Sequence, residues 1–273
     1  YFNLTKYGRK IKYIFCLFLL FKKIIKNKDI IVLSFQANIY CILICKLFKT
    51  KIIVRSNSSP SGWSKSFLKK KLFKFLFGLA DTVIVNSNDF KKEFKKKFNL
   101  RTVMIYNPLN KSEILTFSKK KIFFPFFDKS KNNLKIISIG RLTDQKDHLT
   151  LLKSINELKN KINIRLVIIG RGANYYKLKK FINDNKINKI VKILNFMKNP
   201  FPYLKKADLF LLTSRFEGLP NVLLEAVTLR KNIISTNCPT GPREILNNGK
   251  YGTLCEIENY KQISKKIIQF KLE

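Results

Sequence analysis

In the stretch Thr213-Ser214-Arg215-Phe216-Glu217-Gly218-Leu219-Pro220-Asn221-Val222-Leu223-Leu224-Glu225-Ala226 one periodicity gives way to another. Ahead of it, Asp208 to Leu212 is a short apolar run of the kind that forms a buried strand. After it, Pro220 suits a first helical position, and Leu223, Ala226 and Val227 repeat at helical spacing. Asn221, Glu225 and Thr228 then share one polar stripe. The pattern predicts a strand, a turn carrying Glu217 and Gly218, and a helix whose first amides point back over the strand's carboxyl end. Open α/β sheets bind ligands there, and a helix N-terminus accepts anions. Taken singly, Glu217 reads as a turn residue and Glu225 as a solvated helix residue. The whole string is what gives the pair its interest.

Outward from this stretch the same alternation continues. Strands are expected at Lys135 to Gly140, Arg165 to Gly170, Lys192 to Phe196, Asp208 to Thr213 and Asn232 to Thr236. The helices between them are expected at His148 to Lys159, Tyr175 to Asn185, Pro202 to Lys206 and Asn221 to Leu229, with further ones starting near Pro242 and Lys261. The first half repeats the pattern: helix Lys10 to Ile25, strand Asp29 to Ser34, helix Ala37 to Phe48, strand Lys51 to Val54, helix Ser66 to Leu79 and strand Thr82 to Asn86. Ser87 then caps a basic helix through Phe98, and Thr102 to Tyr106 gives a fourth strand. Such alternation argues parallel, helix-covered sheets. The polar loop Arg55 to Trp63 is either a surface connection or a site edge, and the chain's single tryptophan tilts it toward site edge. Asn110 to Asn133 shows no clear periodicity. The chain therefore reads as a partial first domain (1–110), a connection (111–133) and a second domain (134–273).

Composition narrows the classes. The 45% hydrophobic and 26% charged content is that of a globular protein. The net charge of +38 points to an anionic partner or to a general lysine bias, and lysine crowds every segment. No nucleic-acid-binding pattern accompanies the charge, so no nucleic-acid partner is expected. Five cysteines without a C-x-x-C pair indicate neither zinc nor a disulfide framework, and read as core residues of a cytoplasmic protein. Tyr13 to Phe21 is too short to cross a bilayer, and Ile30 to Phe48 carries Gln36, Asn38 and Lys46.

Gly140-Arg141-Leu142-Thr143-Asp144-Gln145-Lys146 follows a strand directly. Its Arg141 and Lys146 stand as a pair of cations after a strand and before a helix, and a basic loop in a basic protein is the bland alternative. Gly170-Arg171-Gly172 also follows a strand, where a tight turn explains the glycines as well as nucleotide contact does. His148, the only histidine, sits at a helix start and is not assigned as a base.

Together these motifs resemble the family 4 retaining glycosyltransferases, which have the two-domain GT-B fold and an E-x7-E signature. That signature runs roughly (P/T)-S-x-x-E-G-x-P-x-x-x-x-E-A, and the Thr213 stretch matches it at nearly every fixed position. The family's G-R-x-x-x-x-K matches Gly140 to Lys146, and Thr240-Gly241-Pro242-Arg243-Glu244 resembles its G-x-x-E turn. Val83-Ile84-Val85-Asn86-Ser87 and Ile105-Tyr106-Asn107-Pro108 resemble the exit of its acceptor-side domain. The resemblance implies an α/β, GT-B fold of two Rossmann-like parallel-sheet domains facing a cleft, the first incomplete. It implies a sugar transferase acting with retention on a nucleotide-sugar donor, UDP- or GDP-linked and metal-independent, in cell-surface polysaccharide, lipid-linked oligosaccharide or glycoprotein assembly. Glu217, Arg141 and Lys146 would be catalytic. Glu225, Gly140, Gly170, Phe216, Gly218, Leu219, Asn221 and Gly241 would line the donor site, with Glu225 on the ribose. A glycan or polyprenyl-linked acceptor is implied. The lysines of Lys10 to Lys28 and of the Phe90 to Phe98 helix would bring the first domain to anionic lipid on the inner face of the membrane. The family's glycine-rich loop after the first strand is missing, and Ser34 to Asn38 stands at the corresponding strand end. Against the family's pattern the chain is expected to be truncated at both ends, and the alternative is a non-catalytic sugar-nucleotide-binding fragment or relic.

Overall fold

The computed structural model describes residues 8–57, 60, 66–128 and 132–272. The chain divides into two compact units, Tyr1–Tyr106 and Asn107–Glu273. Each is an α/β layer structure around one parallel sheet. Ser58, Ser59 and the run from Ser61 to Trp63, on which the site-edge expectation rested, lie outside the described residues.

In the first unit, helix α1 (Arg9–Lys26) precedes strand β1 (Ile31–Ser34). Then come α2 (Asn38–Leu47), β2 (Lys51–Arg55), α3 (Phe67–Gly78), β3 (Thr82–Val85), α4 (Asn88–Phe98) and β4 (Val103–Met104). The strands pair in sequence order, β1-β2-β3-β4, all parallel. A sheet that grows in one direction with right-handed crossovers sends every connecting helix to the same face. The burial follows: Ile52, Val54, Val83 and Val85 are buried with the helix residues Ile42, Cys45, Phe77, Phe90 and Phe94. Alternate residues on the opposite face, Ile31, Leu33 and Val103, are about half exposed. Helix α4 is legible in its own spacing. Ser87 Oγ accepts from the Phe90 amide as N-cap, and Phe90, Phe94 and Phe98 recur every fourth residue. All three are fully buried and stack edge to face at 5.2 Å between successive rings. Strand β4 is shorter than the expected Thr102 to Tyr106, since it pairs on one side only.

The second unit opens with α5 (Lys111–Ser118) and the single turn α6 (Pro125–Asp128). The sequence marks Asn110 to Asn133 as an interdomain connection without clear periodicity. Helix α5 is two turns long and buries only Ile114 and Ser118, too short a stripe to register as a period. Asn110 caps it by accepting from the Glu113 amide, and it packs on later helices of the same unit. Next come β5 (Leu134–Ile139), α7 (His148–Leu158), β6 (Ile164–Ile169), α8 (Tyr175–Asp184), β7 (Val191–Leu194) and α9 (Phe201–Lys206). The unit ends with β8 (Leu209–Leu212), α10 (Asn221–Thr228), β9 (Asn232–Thr236), α11 (Pro242–Ile245), β10 (Thr253–Cys255) and α12 (Tyr260–Leu272). Strand β10, which no apolar run had announced, is three residues at the sheet's edge.

The sheet order is β10-β9-β8-β5-β6-β7. The chain builds outward from β5 to β7, then returns to pair β8 on the other side of β5. With crossovers of one hand, that reversal puts helices on both faces. Helices α7, α8 and α12 bury Leu151, Ile155, Leu178 and Ile263 against Ile136, Leu166 and Leu211. Helices α9 and α10 bury Leu204, Leu223 and Ala226, with Phe127, against Ile137, Val167 and Phe210. Among the described residues, no helix is long and apolar enough to cross a membrane.

A sheet with one face covered buries less apolar surface per residue than one covered on both, and opens at a lower free energy. Limited proteolysis should therefore cut the first unit early and leave a resistant fragment beginning near Asn107. Mass spectrometry of the time course reads this out, and equal resistance of the two units would contradict it.

Candidate functional site at the carboxyl edge of the second sheet

Strands β5 and β8 are neighbours whose following helices leave on opposite faces, so the loops after them diverge and open a crevice. Gly140 to Asp147 leaves β5, and Thr213 to Pro220 leaves β8. Lys146 and Glu217, from one loop each, meet there. Glu217 Oε1 accepts from Lys146 Nζ and from Ser214 Oγ, both at 2.5 Å. Their side chains are only 12% and 7% exposed, so the contact is a buried ion pair with an added hydroxyl. The lysine stem packs 3.4 Å from where a Cβ on Gly140 would stand.

The backbone around this pair is fastened at every step. Thr213 Oγ1 donates to the carbonyls of Lys146 and Asp147. The Arg215 amide donates to the Gln145 carbonyl at 2.8 Å, and Gln145 Nε2 donates to the Phe216 carbonyl at 3.0 Å. The Glu217 amide donates to Pro239, and Thr240 Oγ1 reaches the carbonyls of Glu217 and Gly218. Arg215 pairs with Asp147, the N-cap of α7, at 3.1 Å and with Glu258 at 2.7 Å. Gly241 has φ +93°, and a Cβ there would stand 2.5 Å from the Gly218 carbonyl oxygen, so the turn before α11 needs glycine. Asn221 is exposed, and its Oδ1 accepts from Asn107 Nδ2 at 2.6 Å; the same amide reaches the Leu219 carbonyl.

A second group of the sequence-derived residues lies beside this pair. A cavity of about 450 Å³ is lined by Gly140, Arg141, Gly170, Arg171, Phe196 and Glu225, among others. Gly170 is bare because a Cβ would lie 1.8 Å from the Gly140 carbonyl oxygen. Arg171 lies over the Phe196 ring at 5.1 Å. Arg141 borders the cavity and donates to Gln145 Oε1 at 3.4 Å, linking the two groups. The Glu225 carboxylate has no hydrogen bond or ion pair among the described residues, and burial raises its pKa above the ordinary 4.5. His148 is buried beside Lys146, and burial pushes it down to about 4, so its imidazole is neutral. Cys238, within electrostatic reach of Glu217, is pushed up to about 12, first by burial. Among the described residues no cluster of three or more His, Cys, Asp or Glu side chains could hold a metal ion.

All the predicted site residues sit at this edge of the unit, but not as one cluster. Glu217, Lys146, Gly218 and Gly241 gather at the ion pair. Glu225, Arg141, Gly140 and Gly170 line the cavity. Phe216 and Leu219 contribute their carbonyls, while the Leu219 side chain is buried. Sequence reading missed Gln145 and Phe196. Phe196 was findable, since it follows the end of β7 and every parallel strand ends at the same edge. Gln145 carries no signal beyond standing next to Lys146.

A doubly wound parallel sheet with buried opposite charges and a cavity at its topological switch point is a ligand-binding α/β unit. Comparison with known proteins supplies the family. The chain belongs to the glycosyl transferases group 1, whose family profile matches residues 119–273. It is 34% identical over 217 residues to an uncharacterized glycosyltransferase of Methanocaldococcus jannaschii, covering 75% of this chain and 53% of that one. It is 27% identical over 230 residues to the N-acetylgalactosamine-N,N'-diacetylbacillosaminyl-diphospho-undecaprenol 4-alpha-N-acetylgalactosaminyltransferase of Campylobacter jejuni, covering 81% and 60%. The chain thus spans between half and two thirds of the length of these relatives. Among solved structures, Anabaena HepE in complex with UDP and glucose is similar at TM-score 0.77 and 18% identity, over 94% of this chain and 71% of that one. TarM is similar at TM-score 0.74 and 18% identity, over 94% and 50%. Two parallel-sheet α/β units in this arrangement along the chain are the fold of the GT-B glycosyltransferases.

The Glu225 environment fixes a pH dependence. Its raised pKa means that the folded chain holds this proton more tightly than the unfolded chain does. The stability tied to it is complete below the unfolded value near 4.5 and is lost as pH rises through the folded value. Glu225→Gln, which cannot ionise, should melt above the parent at neutral pH and converge with it in acid. A variant melting lower at neutral pH would reveal a partner for the carboxylate.

Proposed function

We propose that this protein transfers a sugar from a nucleotide-sugar donor to an acceptor hydroxyl with retention, as a family 4 type, E-x7-E glycosyltransferase. The observation that carries the reading is the buried Lys146–Glu217–Ser214 contact beside a cavity holding Arg141 and an unpaired Glu225. Breaking a sugar–phosphate bond leaves charge on the diphosphate and positive character on the sugar. Arg141 and Lys146 meet the first need as fixed cations, without calling on a metal. Glu217, held in place by two donors, meets the second, as carboxylates do in glycoside hydrolysis. Glu225 is placed to accept from the ribose hydroxyls. Its half-buried carboxylate needs such donors, and the cavity is of nucleoside size.

Lys146 is paired with Glu217. A diphosphate therefore competes for the lysine, and binding frees the glutamate toward the sugar. Of the UDP- or GDP-linked donors expected, support for UDP comes from HepE, solved with UDP and glucose. Support for a lipid-linked acceptor comes from the diphospho-undecaprenol named for the Campylobacter relative, and for polysaccharide assembly from the amylovoran biosynthesis glycosyltransferase of Erwinia amylovora. With a net charge of +38, we place the protein on the cytoplasmic face of an anionic membrane, where such an acceptor resides. A second reading, donor binding without transfer, is favoured by the uncovered face of the first sheet and the fastened donor-side loops.

Two variants separate the roles. Lys146→Ala should weaken nucleoside diphosphate far more than nucleoside in calorimetry, because it removes a charge-assisted contact to phosphate. Equal losses would remove Lys146 from the phosphate site. Glu217→Gln should keep or improve nucleoside-diphosphate affinity, since Lys146 is released, while transfer falls by about 10²–10³-fold. Loss of both together would make Glu217 a binding residue only. No release of nucleoside diphosphate from nucleotide sugars across a full acceptor screen, with nucleoside-diphosphate binding retained, would favour the second reading.

A further inference from the structure

The cavity beside the ion pair follows the strand order. Its walls come from the loops after β5, β6 and β7, which are neighbours in the sheet, and from α10. Gly140 and Arg141 follow β5, in the loop that also carries Lys146, and Glu225 comes from α10. Arg171 follows β6, and Phe196, Met197 and Lys198 follow β7 at the far end of the row. A nucleotide with its diphosphate at Arg141 and Lys146 and its ribose at Glu225 has one direction left for its base, toward the β6 and β7 end.

The side chains at that end are of two kinds. Phe196, Met197, Pro200 and Phe201 are apolar, and the polar ones are Arg171 and Lys198. Both cations donate hydrogen bonds and accept none. Among the described residues, no Asp, Glu, Asn, Gln, Ser or Thr side chain lines this end as an acceptor. Arg171 stands 5.1 Å over the Phe196 ring, a contact that holds a long side chain at the cavity's rim. Its guanidinium makes no hydrogen bond or ion pair among the described residues, so its donors are unspent.

Donors without acceptors sort nucleobases by one kind of atom. Uracil and guanine present a carbonyl oxygen where cytosine and adenine present an amino group. An amino group brought to this end would meet two cations and apolar side chains, with no side-chain acceptor for its hydrogens. A site that leaves such a group unpaired rejects its ligand more strongly than one that merely lacks a contact. We propose that Arg171 selects the donor's base, its guanidinium donating to the carbonyl of a keto base, uracil or guanine, and disfavouring the amino bases cytosine and adenine. The assignment rests on the nucleotide-sugar reading above and adds to it the class of nucleotide. Phe196 then serves the selection indirectly, by holding the group that reads the base.

Calorimetry on the full chain with UDP, CDP, GDP and ADP tests this. UDP and CDP share ribose and diphosphate and differ on one edge of the base, so their affinity ratio isolates the reading of that edge. The parent should bind UDP about tenfold or more tightly than CDP, and GDP likewise over ADP. Arg171 is exposed, so Arg171→Ala should keep the parent's circular dichroism and melting temperature. In that variant UDP affinity should fall by about tenfold while CDP affinity hardly moves, and the ratio should collapse toward one. Arg171→Lys keeps the charge but loses the planar fork, and should discriminate less than the parent. Equal losses of UDP and CDP in Arg171→Ala would make Arg171 a contact of the shared diphosphate and overturn the proposal. A ratio that survives Arg171→Ala would assign the base to backbone groups and overturn it too, as would a parent that binds CDP as tightly as UDP. A parent that binds none of the four defeats the nucleotide-sugar reading itself, and the proposal with it.

Discussion

One lysine and one glutamate, brought from opposite sides of a strand-order reversal, hold the second unit's ligand edge together. Separating buried opposite charges leaves an uncompensated charge that costs about 3–5 kcal/mol. The loops carrying Lys146 and Glu217 therefore cannot drift apart independently, and the remaining fastenings at that edge act on loops whose separation is already fixed. Gln145 can bridge to Phe216, and Thr240 can reach two carbonyls, only because the two loops lie at contact distance. The same constraint orients Arg141 toward the cavity, since Gln145, which accepts from it, is itself tied across the crevice.

The two units solve the problem of covering a parallel sheet differently. In the second, the chain reverses its direction of strand addition at β5, so helices reach both faces and the four central strands β9, β8, β5 and β6 are buried along most of their length. In the first, strands are added in one direction, and the face opposite α2, α3 and α4 stays half exposed. A switch point exists only where the direction reverses, and among the described residues the first sheet has no reversal to match that of the second.

Much of this was legible in the sequence because it is written in short-range periods. The phenylalanines of α4, the apolar runs of β5, β6 and β8, and Asn232 to Thr236 as β9 all announce themselves locally. The glutamate pair and the Gly140 to Lys146 loop were legible as strings. What escaped has no local signature. Gln145 matters through contacts with residues about seventy positions away. Helix α5 shows too few buried positions to form a period, and β10 is shorter than one turn of alternation on each face.

The order of strands also sets the order in which a growing chain can become structured. Each strand of the first sheet pairs with the one before it, so that sheet is able to extend as residues emerge from the ribosome. The central strand of the second sheet must wait, because the partner of Ile136 in β8 is Leu209. Until that segment has been made, one edge of β5 has only water or a chaperone to satisfy its backbone. The loop that carries Lys146 is therefore translated long before the glutamate it will hold, and the ligand edge comes into being late in synthesis.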